Sequence, residues 1–184
     1  MIIISISMKK RCSWVTQDEI YVRYHDDEWG VPTHDDKELF EMLVLESFQT
    51  GLSWITILKK RENFKKAFDD FDVLKVANYN EDKVNELLEN EGIIRHKGKI
   101  NAAITNAKKF IEIQKEFGSF DSYIWSFTDE KTIKAEYLTE SDLSKEISKD
   151  LKKRGMKFVG PKIIYSYLES IGIIDNHQKD CFKY

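Results

Sequence analysis

Only two prolines, Pro32 and Pro161, interrupt the 184 residues of this chain, and little else in it would stop a helix. Proline breaks helices and central strands alike, so long uninterrupted elements are permitted, and the residues that fill them are spaced for helices. Sustained period-two alternation is confined to the first seven residues; elsewhere apolar side chains recur at three and four. The expectation is an all-α fold with no repeat, low-complexity tract or linker, forming one unit from residue 9 to 184 that could divide into two closely packed helical lobes.

Its helices are readable from caps and stripes. Asp18 to His25 forms a short helix that places Tyr21, Tyr24 and His25 at neighbouring positions. Thr33 or Asp35 caps a helix ending near Phe48, with Gly51 just beyond it. Shorter helices follow over Trp54 to Lys60, Asn63 to Phe68 and Glu81 to Asn90, the last capped by Asn80 and stopped by Gly92. A long helix from Lys97 to Glu116 carries Ile100, Ile104, Ala107, Ile111 and Gln114 on one stripe. Leu143, Ile147 and Leu151 mark another, ending at Gly155, and Pro161 suits the first turn of the next. The turn between them, Gly155 to Gly160, can aim backbone N–H groups and a helix N-terminus at a DNA phosphate. Any αα-hairpin containing glycines reads the same way.

Hydrophobic residues at 41% and charged residues at 33% fit a soluble globular protein rather than a disordered or membrane one. The apolar start, Met1 to Ser7, lacks the basic flank, length and cleavage site of a secretory signal, so a cytoplasmic location is expected. Met8 precedes Lys9-Lys10-Arg11, and residues 1–8 read as an N-terminal extension or an edge strand. Net charge is −3, which weighs against a nucleic-acid partner. Basic clusters at Lys59-Lys60-Arg61, Arg95 to Lys99 and Lys149 to Lys162 weigh the other way, each being either a solvated helix face or a DNA contact.

Four residues near the ends form a possible metal set: Cys12, His25, His177 and Cys181. His177 and Cys181 are four apart, as on one helical turn, and two Cys with two His complete a tetrahedral zinc site that leaves no position for water. The competing reading is unreactive thiols and surface imidazoles. His34 and His96 have no such partners. Glu46 is the other anomaly, because it falls on the stripe of Leu39, Met42 and Leu43, where a hydrophobe is expected. A buried carboxylate needs a partner or a cationic ligand, unless it turns to the helix edge. Trp14, Tyr21, Tyr24, Trp29, Phe48 and Trp54 lie close by in sequence. Such rings are either core or, beside an inward carboxylate, a stacking site for a flat cation.

Taken in order, Arg11-Cys12-Ser13-Trp14-Val15, Tyr24 to Pro32, Leu45-Glu46, Gly51 to Thr56, Leu58 to Asn63, Gly92 to His96 and Lys152 to Gly155 closely resemble the 3-methyladenine-DNA glycosylase I (Tag) family of the helix-hairpin-helix glycosylase superfamily. The resemblance runs from about Lys9 to Cys181. It implies a monofunctional glycosylase that flips 3-methyladenine out of double-stranded alkylated DNA and releases it by hydrolysis. Glu46 is then the catalytic residue, Tyr21, Tyr24, Trp29 and Trp54 bind the base, and Gly51-Leu52 probes the gap left in the duplex. Gly155 and Gly160 meet the DNA backbone, and Cys12, His25, His177 and Cys181 hold a structural zinc joining the two ends.

Phe48 stands where the family usually carries glutamine, which puts a polar pocket contact there in question. No lysine stands out as a Schiff-base nucleophile, so strand-cleaving lyase activity is not expected. Asp175 lies near the place where superfamily relatives carry a catalytic aspartate, and either assists the reaction, supports the zinc site or caps a helix. A monomer with no membrane and no protein partner completes the expectation. The alternatives are an inactive DNA-binding module of the same fold and a zinc-stabilised helical interaction protein.

Overall fold

A computed structural model describes residues 9–135 and 138–184; the expected N-terminal extension lies outside the described residues. The protein is mostly helical. α1 (Glu19–Arg23) is capped by the Asp18 carboxylate and runs directly into a π-helical turn at Tyr24–Glu28. α2 (Asp36–Gln49) starts on Asp35, whose side chain accepts the Lys37 and Glu38 amides, so of the two caps expected it is Asp35 that serves. α3 spans Trp54–Ala67 without a break, where two shorter helices were expected. Arg61-Glu62-Asn63 has no glycine or proline to end a helix, and Ile57, Leu58 and Phe64 bury along one continuous face.

A turn at Asp69–Phe71 leads to α4 (Val73–Ala77) and α5 (Glu81–Glu89), the latter capped by Asn80. α6 (Lys97–Phe117) buries Ile100, Ile104 and Ala107 as its spacing predicts. α7 (Phe120–Ser126), α8 (Asp142–Lys153) and α9 (Pro161–Ser170) follow. One departure from an all-α chain is a short parallel pair, β1 (Ile133–Lys134) with β2 (Ile174–Asp175). Two residues each are too few to show as alternation in the sequence.

α2 is the axis of the core. Every residue from Leu39 to Phe48 is buried, the two glutamates included, because α3, α6, α7 and α9 all pack on it. It is therefore enclosed on all sides and not striped, as its near-continuous apolar run permits. Its ends are fastened by polar groups. The Asp36 carboxylate accepts the Phe120 and Asp121 amides at the start of α7, at 2.9 and 2.8 Å. At the other end Lys99, buried at 6% exposure, donates Nζ to the carbonyls of Phe48 and Thr50 at 2.8 and 2.7 Å. A cation at a helix C-terminus answers the unpaired carbonyls and the helix dipole together.

Candidate base-binding cavity and metal centre

A cavity of about 240 Å³ opens between α1, α2, α3 and α9, lined by Trp14, Tyr21, Tyr24, Trp29, Glu46, Gln49, Trp54, Ser166, Glu169, Asn176 and Gln178. All five residues expected to form the base pocket are in it: Glu46, Tyr21, Tyr24, Trp29 and Trp54. Local geometry explains the convergence. Asp18 starts α1 so that Tyr21 and Tyr24 fall three apart, and the π turn then carries His25 away from the cavity while Tyr24 stays in its wall. Tyr24 lies against Trp54 at 5.4 Å between ring centroids, and Trp14 against Trp29 at 5.0 Å.

Glu46 is 3% exposed and its carboxylate makes no hydrogen bond among the described residues. Burial, with the charge of nearby Glu169, pushes its carboxyl well above the ordinary range. The indole Nε1 of Trp54 is likewise buried without a partner among the described residues. A cavity whose wall holds an unpaired acid and an unpaired donor beside aromatic faces is built for a flat polar ligand, since such groups cost free energy until something pairs with them.

Phe48 takes no part in the cavity. It packs in the core against Phe64 at 4.9 Å and Phe68 at 5.8 Å, and it is the next residue, Gln49, that lines the cavity, with its Nε2 donating to the Leu52 carbonyl. On α2, a shift of one position turns a side chain by about 100°, which carries it from core to cavity. Gln49, Ser166, Glu169, Asn176 and Gln178 were missed by sequence reasoning. Trp14 was visible only as one aromatic among several.

Beside the cavity the chain ends meet. Cys12, His25 and Cys181 are buried, with their ligating atoms within 4.8 Å of one another, and both thiols are free. His177 is not on a helical turn with Cys181: it follows β2 in an extended segment, and Cys181 closes a separate turn whose amide donates to the Gln178 carbonyl at 2.8 Å. Of the four residues expected to hold a metal, His177 is outside this three-residue cluster, although its imidazole lies 5.2 Å from that of His25.

Each histidine commits Nδ1 to a carboxylate, His25 to Asp26 at 2.8 Å and His177 to Asp175 at 2.7 Å. Arg11 clamps Asp26 in turn with two bonds of 2.8 and 2.6 Å. His177 Nε2 is buried without a partner among the described residues, and burial holds both imidazoles below their ordinary pKa. Neutral imidazoles oriented by carboxylates, with thiols alongside, have the chemistry of a structural zinc set. Gly30 makes room for it: a Cβ there would come within 2.8 Å of His177 Cε1.

The expected DNA-facing residues sit on two loops. Gly51, with φ of +81°, turns the chain after α2, and Leu52 is half-buried against the core. In the Gly155 to Gly160 hairpin the carbonyls turn inward: Lys157 O accepts from Asn106, Phe158 O from Ser47 and Val159 O from Ser148. Pro161 opens α9 behind Gly160. Around this hairpin Lys149, Lys152, Lys153, Lys157 and Lys162 are exposed. The other basic clusters are engaged within the chain. Lys59 pairs with Asp18, Arg61 bridges Glu28 and Glu41, and Lys97 pairs with Glu81.

A family model of the methyladenine glycosylases matches residues 14–184. The chain belongs to the methyladenine glycosylase family. It is 46% identical over 181 residues to DNA-3-methyladenine glycosylase 1 of Escherichia coli K12, covering 95% of this chain and 97% of that one. A crystal structure of 3-methyladenine DNA glycosylase I superposes with a TM-score of 0.91 at 45% identity, over 94% of this chain and 98% of the other. The Staphylococcus aureus enzyme, solved for the structural basis of 3-methyladenine recognition, gives 0.90 at 39% identity, over 94% and 95%. Membership places the cavity and the chain-end cluster of this family member within a fold shared along nearly its whole length.

Proposed function

We propose that this protein is a monofunctional DNA-3-methyladenine glycosylase, which flips the lesion out of alkylated duplex DNA and hydrolyses its N-glycosidic bond. The observation that carries the reading is Glu46, a carboxyl buried in the wall of an aromatic cavity with no hydrogen-bond partner among the described residues. A purine methylated at N3 is a cation, and its positive charge makes it a good leaving group. It stacks on Tyr and Trp faces, gains cation–π attraction from them, and gives the buried acid the partner that the protein withholds. Base flipping brings it there, paid for in part by the weakened stacking of a damaged base.

Departure of the base transfers the bonding electron pair to the purine and neutralises it, while water adds to the sugar and loses a proton to solvent. Chemistry this easy needs recognition more than a strong acid. An inactive module of the same fold is disfavoured by an intact Glu46 and aromatic wall.

Cys12, His25, His177 and Cys181 would hold zinc, tying the N- and C-terminal segments together and supplying no catalysis. The segments also join directly, through Ser13 N to Gln178 Oε1 at 2.8 Å and Phe182 N to Lys10 O at 2.8 Å. Gly51 and Leu52 would fill the gap left by the flipped nucleotide. The hairpin from Gly155 to Gly160, with the α9 N-terminus and its ring of lysines, would seat a phosphate. We place the protein in the cytoplasm as a monomer; among the described residues no helix is long and apolar enough to cross a membrane. Incubating methylated DNA with the protein and identifying the freed base by chromatography tests the reading. Release of 3-methyladenine by the protein, with marked loss in Glu46→Gln, is the expected result; no release overturns it.

A further inference from the structure

Glu46 is not the only acid in the cavity. Glu169 enters the same wall from α9, while Glu46 comes from α2, and these two helices pack directly against each other. Asn176, also in the wall, donates Nδ2 to Glu169 Oε1 at 2.7 Å and fixes that carboxyl, while Oε2 has no hydrogen bond among the described residues. The Glu169 carbonyl accepts the Gly30 amide at 2.9 Å, which locks its backbone beside Trp29.

Among the described residues no lysine or arginine lines the cavity. Arg61, the nearby candidate, is taken by Glu28 and Glu41. Burial lifts the Glu169 carboxyl to about 7, and its charge adds to the upward push on Glu46. Two acids that share a desolvated cavity resist ionising together. A positively charged ligand relieves that penalty, and a neutral ligand of the same shape cannot.

We propose that Glu169 is a second specificity-determining residue, which with Glu46 forms an acidic pair selecting purines with a positively charged ring over neutral purines of the same shape. The inference rests on the base-release reading and adds that charge discrimination is divided between two helices. Sequence reading passed over Glu169 because it sits on α9, more than a hundred residues from Glu46, with no neighbouring motif.

Two duplexes test it, one carrying 3-methyladenine and one carrying its uncharged isostere, in which carbon replaces ring nitrogen 3. Glu169→Gln keeps the shape and the acceptor for Asn176. Expected is a fall in single-turnover release of about tenfold or more, the loss typical of a hydrogen bond to a charged group, with affinity for the neutral duplex within about twofold of wild type. Unchanged release overturns the proposal, and so does an equal loss on both duplexes, which is what a merely structural role would give. Glu169→Ser is measured alongside, and the comparison uses the variant that keeps a cooperative melt; failure of both to fold makes Glu169 structural and overturns the proposal. Wild-type protein that releases no base overturns the base-release reading itself, before any variant is compared.

Discussion

Asp175 holds His177: its Oδ1 lies 2.7 Å from the imidazole Nδ1 and 3.1 Å from the His177 amide, while Oδ2 pairs with Lys134 at 2.9 Å. Both oxygens are thus engaged, and the residue is absent from the cavity wall. Of the roles open to Asp175 from sequence, catalysis, support of the zinc site or helix capping, orienting His177 is the one these contacts support. Asp175→Asn is expected to weaken zinc binding by about tenfold or more while single-turnover base release at saturating zinc stays within about threefold. A fall of about a hundredfold or more at full zinc occupancy would instead place Asp175 in the reaction.

If the chain ends are joined by zinc, purified protein carries one ion per chain by atomic absorption. Removing it by chelation, or replacing Cys12 with Ser, lowers the melting temperature by about 10 °C, the shift that several kcal/mol produces in a domain of this size. An unaltered melt after complete zinc removal would deny the ion its structural role.

Glu46→Gln keeps volume and loses the negative charge. The expected fall in kcat/KM for 3-methyladenine release is ten- to about a hundredfold, matching one charge-assisted bond of about 1.5–3 kcal/mol. Intrinsic tryptophan fluorescence reads the same loss directly as weaker binding of free 3-methyladenine, because Trp14, Trp29 and Trp54 line the cavity.

The Glu169 carboxyl also leaves a mark on stability. Its folded pKa is raised from 4.5 to about 7, so the native state keeps a proton that the unfolded chain has already released. Stability from this group is full below about pH 4.5 and declines as pH rises to about 7. Glu169→Gln removes that decline. The zinc-loaded variant should melt several degrees above wild type at pH 8, reflecting about 2–3 kcal/mol, and close to it at pH 4.5. A difference that does not change with pH would contradict the assignment.

Leu52 should matter for DNA and not for the free base. Leu52→Ala removes the side chain that would fill the gap in the stack, so release from duplex DNA falls about tenfold while free 3-methyladenine binds as before. Equal affinity of wild type and variant for lesion-bearing duplex would argue that Leu52 is only packing against the core.

How far the sequence could be read depended on how local the cause was. The caps at Asp35 and Asn80, the burial of Ile100, Ile104 and Ala107 along α6 and the proline start of α9 follow from neighbours within a few residues and formed as expected, whereas Asp18, read as part of a helix, caps α1. Glu46 was visible as an acid in an apolar run. The continuity of α3 was hidden because a charged stretch such as Lys59 to Asn63 gives no signal of whether a helix stops. That Gln49 and not Phe48 faces the cavity was not legible, since the direction a residue faces on a fully enclosed helix is set by the helices around it.

By itself, then, the sequence determined a helical chain with an inward acid among aromatics, four metal-ligand candidates at its ends, and membership in a family through long ordered motifs. Only the tertiary structure decided that Glu169, Asn176 and Gln178 from the last fifth of the chain close the same cavity as Tyr21 and Glu46. It also placed His177 beside His25 from an extended segment instead of a helical turn. The physical reason is that helical periodicity is a local property, whereas a cavity wall is assembled from contacts between α2 and α9 that no spacing along the chain encodes.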